Sequence, residues 1–135
     1  MSMKYDADFS KKKRIIIKVG SNTITHSETG LLDLIKIERM IRELCNLKNR
    51  GIDVCLVSSG AIAVGRQAMH ITSRPSKMAR KQALASIGQA RLMALYQKYF
   101  SEYDQTAGQI LMTKNTILDD VSRKNAENTF EELFQ

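Results

Sequence analysis

The sequence predicts an α/β layered fold built on a mainly parallel sheet. Three observations point there. Apolar, β-branched runs alternate with longer stretches of helical periodicity, in the order strand, helix, strand, helices, strand, helix. The strand-like runs are nearly continuous in apolar residues, as in strands covered on both faces. With 43% hydrophobic residues among 135, the chain can build a packed core and is not a disordered sequence. That length is one domain or part of one.

Residues 1–13 read as a flexible polar leader and residues 14–135 as the folded part. Ile15-Ile16-Ile17-Lys18-Val19 is a short buried strand stopped at Gly20. The polar stretch 20–30 reads as a loop or hairpin closed by Gly30. Residues 33–50 read as a helix. Asp33 can cap its start, Gly51 sits just past its end, and Ile37, Met40, Ile41, Leu44 and Leu47 form one apolar face. Ile52 to Val57 is a second strand, followed by Ser58-Ser59-Gly60 and, from Ala61, a second helix. Residues 73–76, around Pro75, interrupt the pattern. A long helix is expected over 77–101, with Leu84, Ile87, Leu92, Leu95, Tyr96 and Tyr99 toward the core. Gly88 inside it costs about 1 kcal/mol relative to Ala, which points to a bend or a close packing contact. Gln109 to Met112 predicts a third strand, and Asp119 or Asp120 starts a final helix through Phe134. A sheet this small, with an exposed edge and no stop signal after Glu131, leads to the expectation of an incomplete domain.

The formal net charge of +7 includes the run Lys11-Lys12-Lys13-Arg14. A basic balance can serve nucleic acid or a small anionic substrate, or be a solvated surface. No RNA-binding aromatic motif or zinc finger accompanies it, so no nucleic-acid partner is expected. Cys45 and Cys55 form no C-x-x-C pair and read as core thiols in a reducing compartment. His26 and His70 are isolated, so no metal cluster is expected. The first residues carry no apolar signal-peptide core, and no apolar run is long enough to span a bilayer. A cytoplasmic protein without a membrane partner is expected.

In open parallel sheets, ligands bind beyond the carboxyl ends of strands, so the residues after each strand are the informative ones. Lys18, flanked by Ile17 and Val19, is costly to bury unless it meets an anion; otherwise it extends to solvent from the strand end. Gly20 lets backbone N–H groups approach a phosphate. After the second strand, Ser58-Ser59-Gly60-Ala61-Ile62 is a small-residue turn leading into a helix start, where free N–H groups and partial positive charge favour an anion. Ser59 can add a hydroxyl contact there, or Ser58 or Ser59 can simply cap the helix. Gly60-x-x-x-x-Gly65-Arg66-Gln67 is not a P-loop, because Arg replaces the lysine and Gln the metal-binding hydroxyl. No dinucleotide fingerprint and no Ser/His/Asp or Cys/His arrangement is present.

These residues together resemble a known family. Ile15-Ile16-Ile17-Lys18-Val19-Gly20-Ser21-Asn22 looks like the first strand and loop of the amino-acid kinase family. Val57-Ser58-Ser59-Gly60-Ala61-Ile62-Ala63-Val64-Gly65 is similar to the second loop of its glutamate 5-kinase branch. The stretch from Lys81 to Leu92 matches that branch's K-Q-x-L-A-x-x-G-Q-x-x-L segment, and Gly108 to Thr113 with Asn125, Ala126, Asn128 and Thr129 matches the region that follows. The resemblance runs from Arg14 onward and implies a three-layer fold, a mainly parallel sheet sandwiched by helices.

It further implies transfer of the γ-phosphoryl of ATP, with Mg²⁺, to the side-chain carboxylate of L-glutamate, the first step of proline biosynthesis. By resemblance, Lys18 is the catalytic, charge-stabilising lysine, and Lys18, Gly20 and Ser21 belong to the nucleotide phosphate loop. Ser59, Gly60 and Ala61 match the glutamate-binding loop, and no protein residue is expected to bind the metal. Proline as feedback inhibitor and a homo-oligomer at full length are implied as well. The family continues with an N-E-N-D-type segment, a G-D-N-D-type segment, nucleotide-base loops and, in many members, a PUA domain, none of which is in this sequence. The 135 residues alone are therefore expected to have negligible activity. Two alternatives stay open: a family member acting on N-acetylglutamate, aspartate or a nucleotide monophosphate, and a non-catalytic interaction fragment.

Overall fold

A computed structural model describes residues 11–135 of the chain; most of the expected leader, residues 1–10, lies outside them. The first strand, β1 (Arg14–Val19), leads through a 3₁₀ turn (Ser21–Thr23) and a loop into α1 (Leu34–Asn49). Thr25 and Leu32 form an antiparallel bridge, so the polar stretch after β1 doubles back as a short hairpin. Then come β2 (Asp53–Ser58), α2 (Ala61–Ala68) and the long α3 (Met78–Glu102), followed by α4 (Lys114–Leu118) and α5 (Asp120–Phe134).

Helix α1 starts and stops where its sequence says. The Asp33 carboxylate accepts the Lys36 N–H at 3.1 Å, and Gly51 just past the helix takes a positive φ of 81°. Ile37, Ile41, Leu44 and Cys45 bury its apolar face. β1 and β2 pair in parallel, from Arg14 opposite Asp53 to Val19 opposite Ser58. Ile17, Val19 and Leu56 turn to one side and pack with Ile37 and Ile41 of α1 and Leu92 and Tyr96 of α3. The opposite face is open among the described residues: Ile16 is 69% exposed and Val57 46%. The parallel α/β arrangement is thus the expected one, with one face of the sandwich built.

The long helix confirms Leu84, Leu92 and Tyr96 as core, leaves Leu95 and Tyr99 half-buried, and exposes Ile87. Gly88 marks a close contact, since a Cβ there would overlap the Ala61 carbonyl of α2. The expected third strand is corrected: residues 109–112 are irregular and make no ladder with β2. A four-residue apolar run is long enough for a strand, but it becomes one only when its N–H and C=O groups enter a ladder, and these pair with neither β1 nor β2. Here Thr113 begins a capping box with Thr116 that opens α4, which the periodicity did not reveal, and Leu133 of α5 packs onto Gly108. Asp119 caps α5, accepting the Ser122 N–H at 2.8 Å, as expected. Among the described residues no helix is long and apolar enough to cross a membrane.

Candidate functional site

The parallel register fixes the site. Lys18 lies opposite Val57 and Val19 opposite Ser58, so the chain leaves both strands at the same end. The Ser59 N–H then donates to the Val19 carbonyl at 3.0 Å, and its hydroxyl donates to the same oxygen at 3.3 Å. This carries the pairing one residue past the sheet and ties the second turn to the first. Gly60 has φ 116°, a conformation that favours glycine. A Cβ at Gly60 would stand 2.9 Å from Ile24 Cδ1 and 3.6 Å from Ser21 Cα. Ser21 of the first loop therefore lies against Gly60 of the second.

Gly60 occupies the cap position of α2, and no side chain caps that helix. Neither Ser58 nor Ser59 caps α2. The first intrahelical bond runs from the Val64 N–H to the Gly60 carbonyl at 3.0 Å. The N–H groups of Ala61, Ile62 and Ala63 precede it, and they carry the partial positive charge of the helix start. A Cβ at Gly20 would meet nothing within 4 Å, so the floor beside the first loop is open. Two loops, a bare helix start and open space form a surface suited to phosphate or carboxylate oxygens.

Lys18 stands slightly apart. Strand alternation puts it on the open face of β1 with Ile16, away from Ile17 and Val19. Its side chain is exposed and joins no ion pair among the described residues. The sheet thus supplies an uncommitted cation beside the loops. Arg66, by contrast, is committed: its guanidinium donates to the carbonyls of Ile71 and Thr72 at the other end of α2. Gly65 is packed inside α2 against Leu84, which agrees with rejecting a P-loop.

Three supports of this surface were not visible as site features in the sequence. Gly88 of α3 packs against the Ala61 carbonyl and Gly65, and so sets the position of the start of α2. The Gln67 side-chain oxygen accepts the Leu32 N–H at 3.1 Å, tying the hairpin after β1 to α2. The buried Tyr96 hydroxyl lies 2.6 Å from Ser58 Oγ, and burial pushes its pKa up against the opposing effect of that bond. The signal for Tyr96 was its chemistry: a tyrosine on an apolar face needs a polar partner for its hydroxyl.

Other polar groups are remote. Burial pushes the thiols of Cys45 and Cys55 up, which keeps them protonated, and both are free. They line an open, largely apolar cleft of about 480 Å³ between the outer edge of β2 and residues 105–112. That cleft includes none of Lys18, Gly20, Ser21, Ser59, Gly60 or Ala61. Among the described residues no three His, Cys, Asp or Glu side chains gather as a metal site.

The amino acid kinase family model matches residues 13–135. This chain belongs to the amino acid kinase family. Within that family it is 48% identical over 121 residues to a glutamate 5-kinase of Clostridium tetani, covering 90% of this chain and 45% of that one. It is 43% identical over 121 residues to a glutamate 5-kinase of Carboxydothermus hydrogenoformans, covering 90% and 32%. A glutamate 5-kinase of Clostridium acetobutylicum is 45% identical over 124 residues, covering 92% and 46%. The chain therefore spans less than half the length of these curated relatives, and the kinase segment it does span contains both loops.

Proposed function

We propose that this chain is the segment of a glutamate 5-kinase that carries its first two anion-binding loops. The protein would transfer the γ-phosphoryl group of ATP to the side-chain carboxylate of L-glutamate, giving L-glutamate 5-phosphate and ADP, the first step of proline biosynthesis. The observation that carries this reading is the pairing of a bare helix start at Gly60-Ala61 with the loop at Gly20-Ser21, within a chain whose curated relatives are named for that reaction. The keyed assignments are Lys18, Gly20 and Ser21 to the nucleotide phosphates and Ser59, Gly60 and Ala61 to glutamate.

The chemistry suits these groups. A carboxylate oxygen attacks the γ-phosphorus while the bond to the ADP oxygen breaks, and the nucleophile is already ionised, so no strong base is required. Phosphoryl transfer asks mainly for alignment and for cancellation of charge on the equatorial oxygens. Lys18 and backbone N–H groups supply that. Mg²⁺ enters as part of the nucleotide substrate. The same reading takes the protein to be cytoplasmic, homo-oligomeric at full length and open to inhibition by proline. It also takes the 135 residues alone to turn over no glutamate, since relatives about twice this length or longer carry the activity's name.

A substrate panel on the full-length protein tests the proposal. L-Glutamate is expected to support ATP consumption, and N-acetylglutamate, aspartate and nucleoside monophosphates are not. Turnover of any of these in preference to glutamate would move the chain to another branch of the family.

A further inference from the structure

We infer that Tyr96 is a positioning residue for the second loop, holding the Ser59–Gly60 peptide in the orientation that offers the Gly60 N–H to the acidic substrate. The inference rests on the proposed glutamate-binding role of this loop and adds a residue to it. Ser58 Oγ lies 2.6 Å from the Tyr96 hydroxyl and 3.2 Å from the Ser59 carbonyl oxygen. A carbonyl oxygen only accepts, so the single Ser58 hydroxyl proton goes to Ser59. The Tyr96 hydroxyl must then donate to Ser58 Oγ. The result is a directed relay, from Tyr96 O–H to Ser58 O–H to the Ser59 carbonyl.

The relay ends on a peptide that would otherwise be free to turn. The described chain has no cis peptide bond, so the Ser59 carbonyl and the Gly60 N–H point in opposite directions across one plane. Rotating that plane changes ψ of Ser59 and φ of Gly60, and glycine tolerates either sign of φ. Glycine is required at 60 by its φ of 116° and its closeness to Ile24, and the same glycine permits the flipped peptide. A second device is needed to select one state. Tyr96 can serve because it is 4% exposed and locked in the core on α3, the helix that also packs on the start of α2 through Gly88. A buried phenol donating into a turn is a rigid reference, whereas a solvent hydroxyl is not.

The test uses Tyr96→Phe and Ser58→Ala in the full-length protein, singly and together. Each is expected to raise KM for glutamate about tenfold, the size of one lost hydrogen bond, with KM for ATP unchanged. The double variant is expected to match either single one, because both break one relay. Multiplying effects, or an unchanged glutamate KM in an active enzyme, would overturn the inference. A purely structural tyrosine would lower Tm and the active fraction, and hence kcat, without selective loss of glutamate affinity. If the parent protein phosphorylates no glutamate, the function proposed above fails, and crystal structures of the variants still decide this point. A Ser59–Gly60 peptide that is flipped or doubly populated supports the relay, and one unchanged in both variants contradicts it.

Discussion

The residues that define the site do so mostly through backbone geometry. Gly60 combines φ 116° with a neighbour 2.9 Å from where its Cβ would sit, so Gly60→Ala is expected to cost about 1–3 kcal/mol and to displace the start of α2. Thermal melting of the variant reads that loss, and a wild-type Tm would contradict the strain. Ser59 is different, because its N–H already holds the turn on Val19 and only its hydroxyl is replaceable. Ser59→Ala is expected to raise KM for glutamate by about tenfold while leaving KM for ATP within a factor of two. A change confined to ATP would assign the hydroxyl to the nucleotide instead. Lys18 was legible from sequence as a cation out of place among isoleucines. Its position on the open face, beside rather than within the loop contact, was not, because residue alternation gives the face but not the neighbours.

At the scale of elements, the site depends on how α2 is seated. Gly88 lies against the Ala61 carbonyl, at the turn of α2 whose N–H groups face the proposed substrate. Gly88→Ala drives a methyl group into backbone, which cannot give way as a side-chain tip can. The expected cost is about 3 kcal/mol, read by denaturant melts, together with weaker glutamate binding as the helix start moves. A stable variant with normal kinetics would show that the helices slide apart freely. The helices and two strands were legible because their periodicity and caps agree: Asp33, Gly51 and Asp119 act as written. The run Gln109 to Met112 misled for a physical reason. Its apolar residues are strand-like, but a strand exists only when its N–H and C=O groups find a ladder, and here they stand across a cleft from the outer edge of β2 without pairing to it. The packing role of Gly88 was half legible, since an expensive glycine in a helix announces a contact without naming the partner. Tyr96 counted as core in the sequence because nothing local marks its reach to Ser58 across 38 positions.

For the whole molecule, the open face of the sheet and the coverage of the relatives set the expectations. Acid is expected to weaken the fold through its caps. The Lys36 N–H holds the Asp33 carboxyl below its ordinary range, and the Ser122 hydroxyl and N–H do the same for Asp119. A carboxylate with a depressed folded pKa stabilises above its unfolded value, and that stabilisation is lost as pH falls through the folded value. Tm is thus expected to be flat near neutrality and to drop in the acid range beneath the ordinary carboxyl pKa. Asp33→Asn retains a capping side chain and removes one titration, so it should flatten that drop; an unchanged acid limb would exclude Asp33 as a contributor.

The central claim is that the cation of β1 and the paired loops beyond β1 and β2 serve phosphoryl transfer to glutamate. Trapping the acyl phosphate with hydroxylamine, in the full-length protein given ATP, Mg²⁺ and L-glutamate, tests it most directly. The expected result is γ-glutamyl hydroxamate from the wild type and a loss of about 10²-fold in kcat on Lys18→Ala, as for removal of one preorganised charge-stabilising donor. Hydroxamate formed at an equal rate with and without the Lys18 ammonium, or none formed by the wild type, would contradict it.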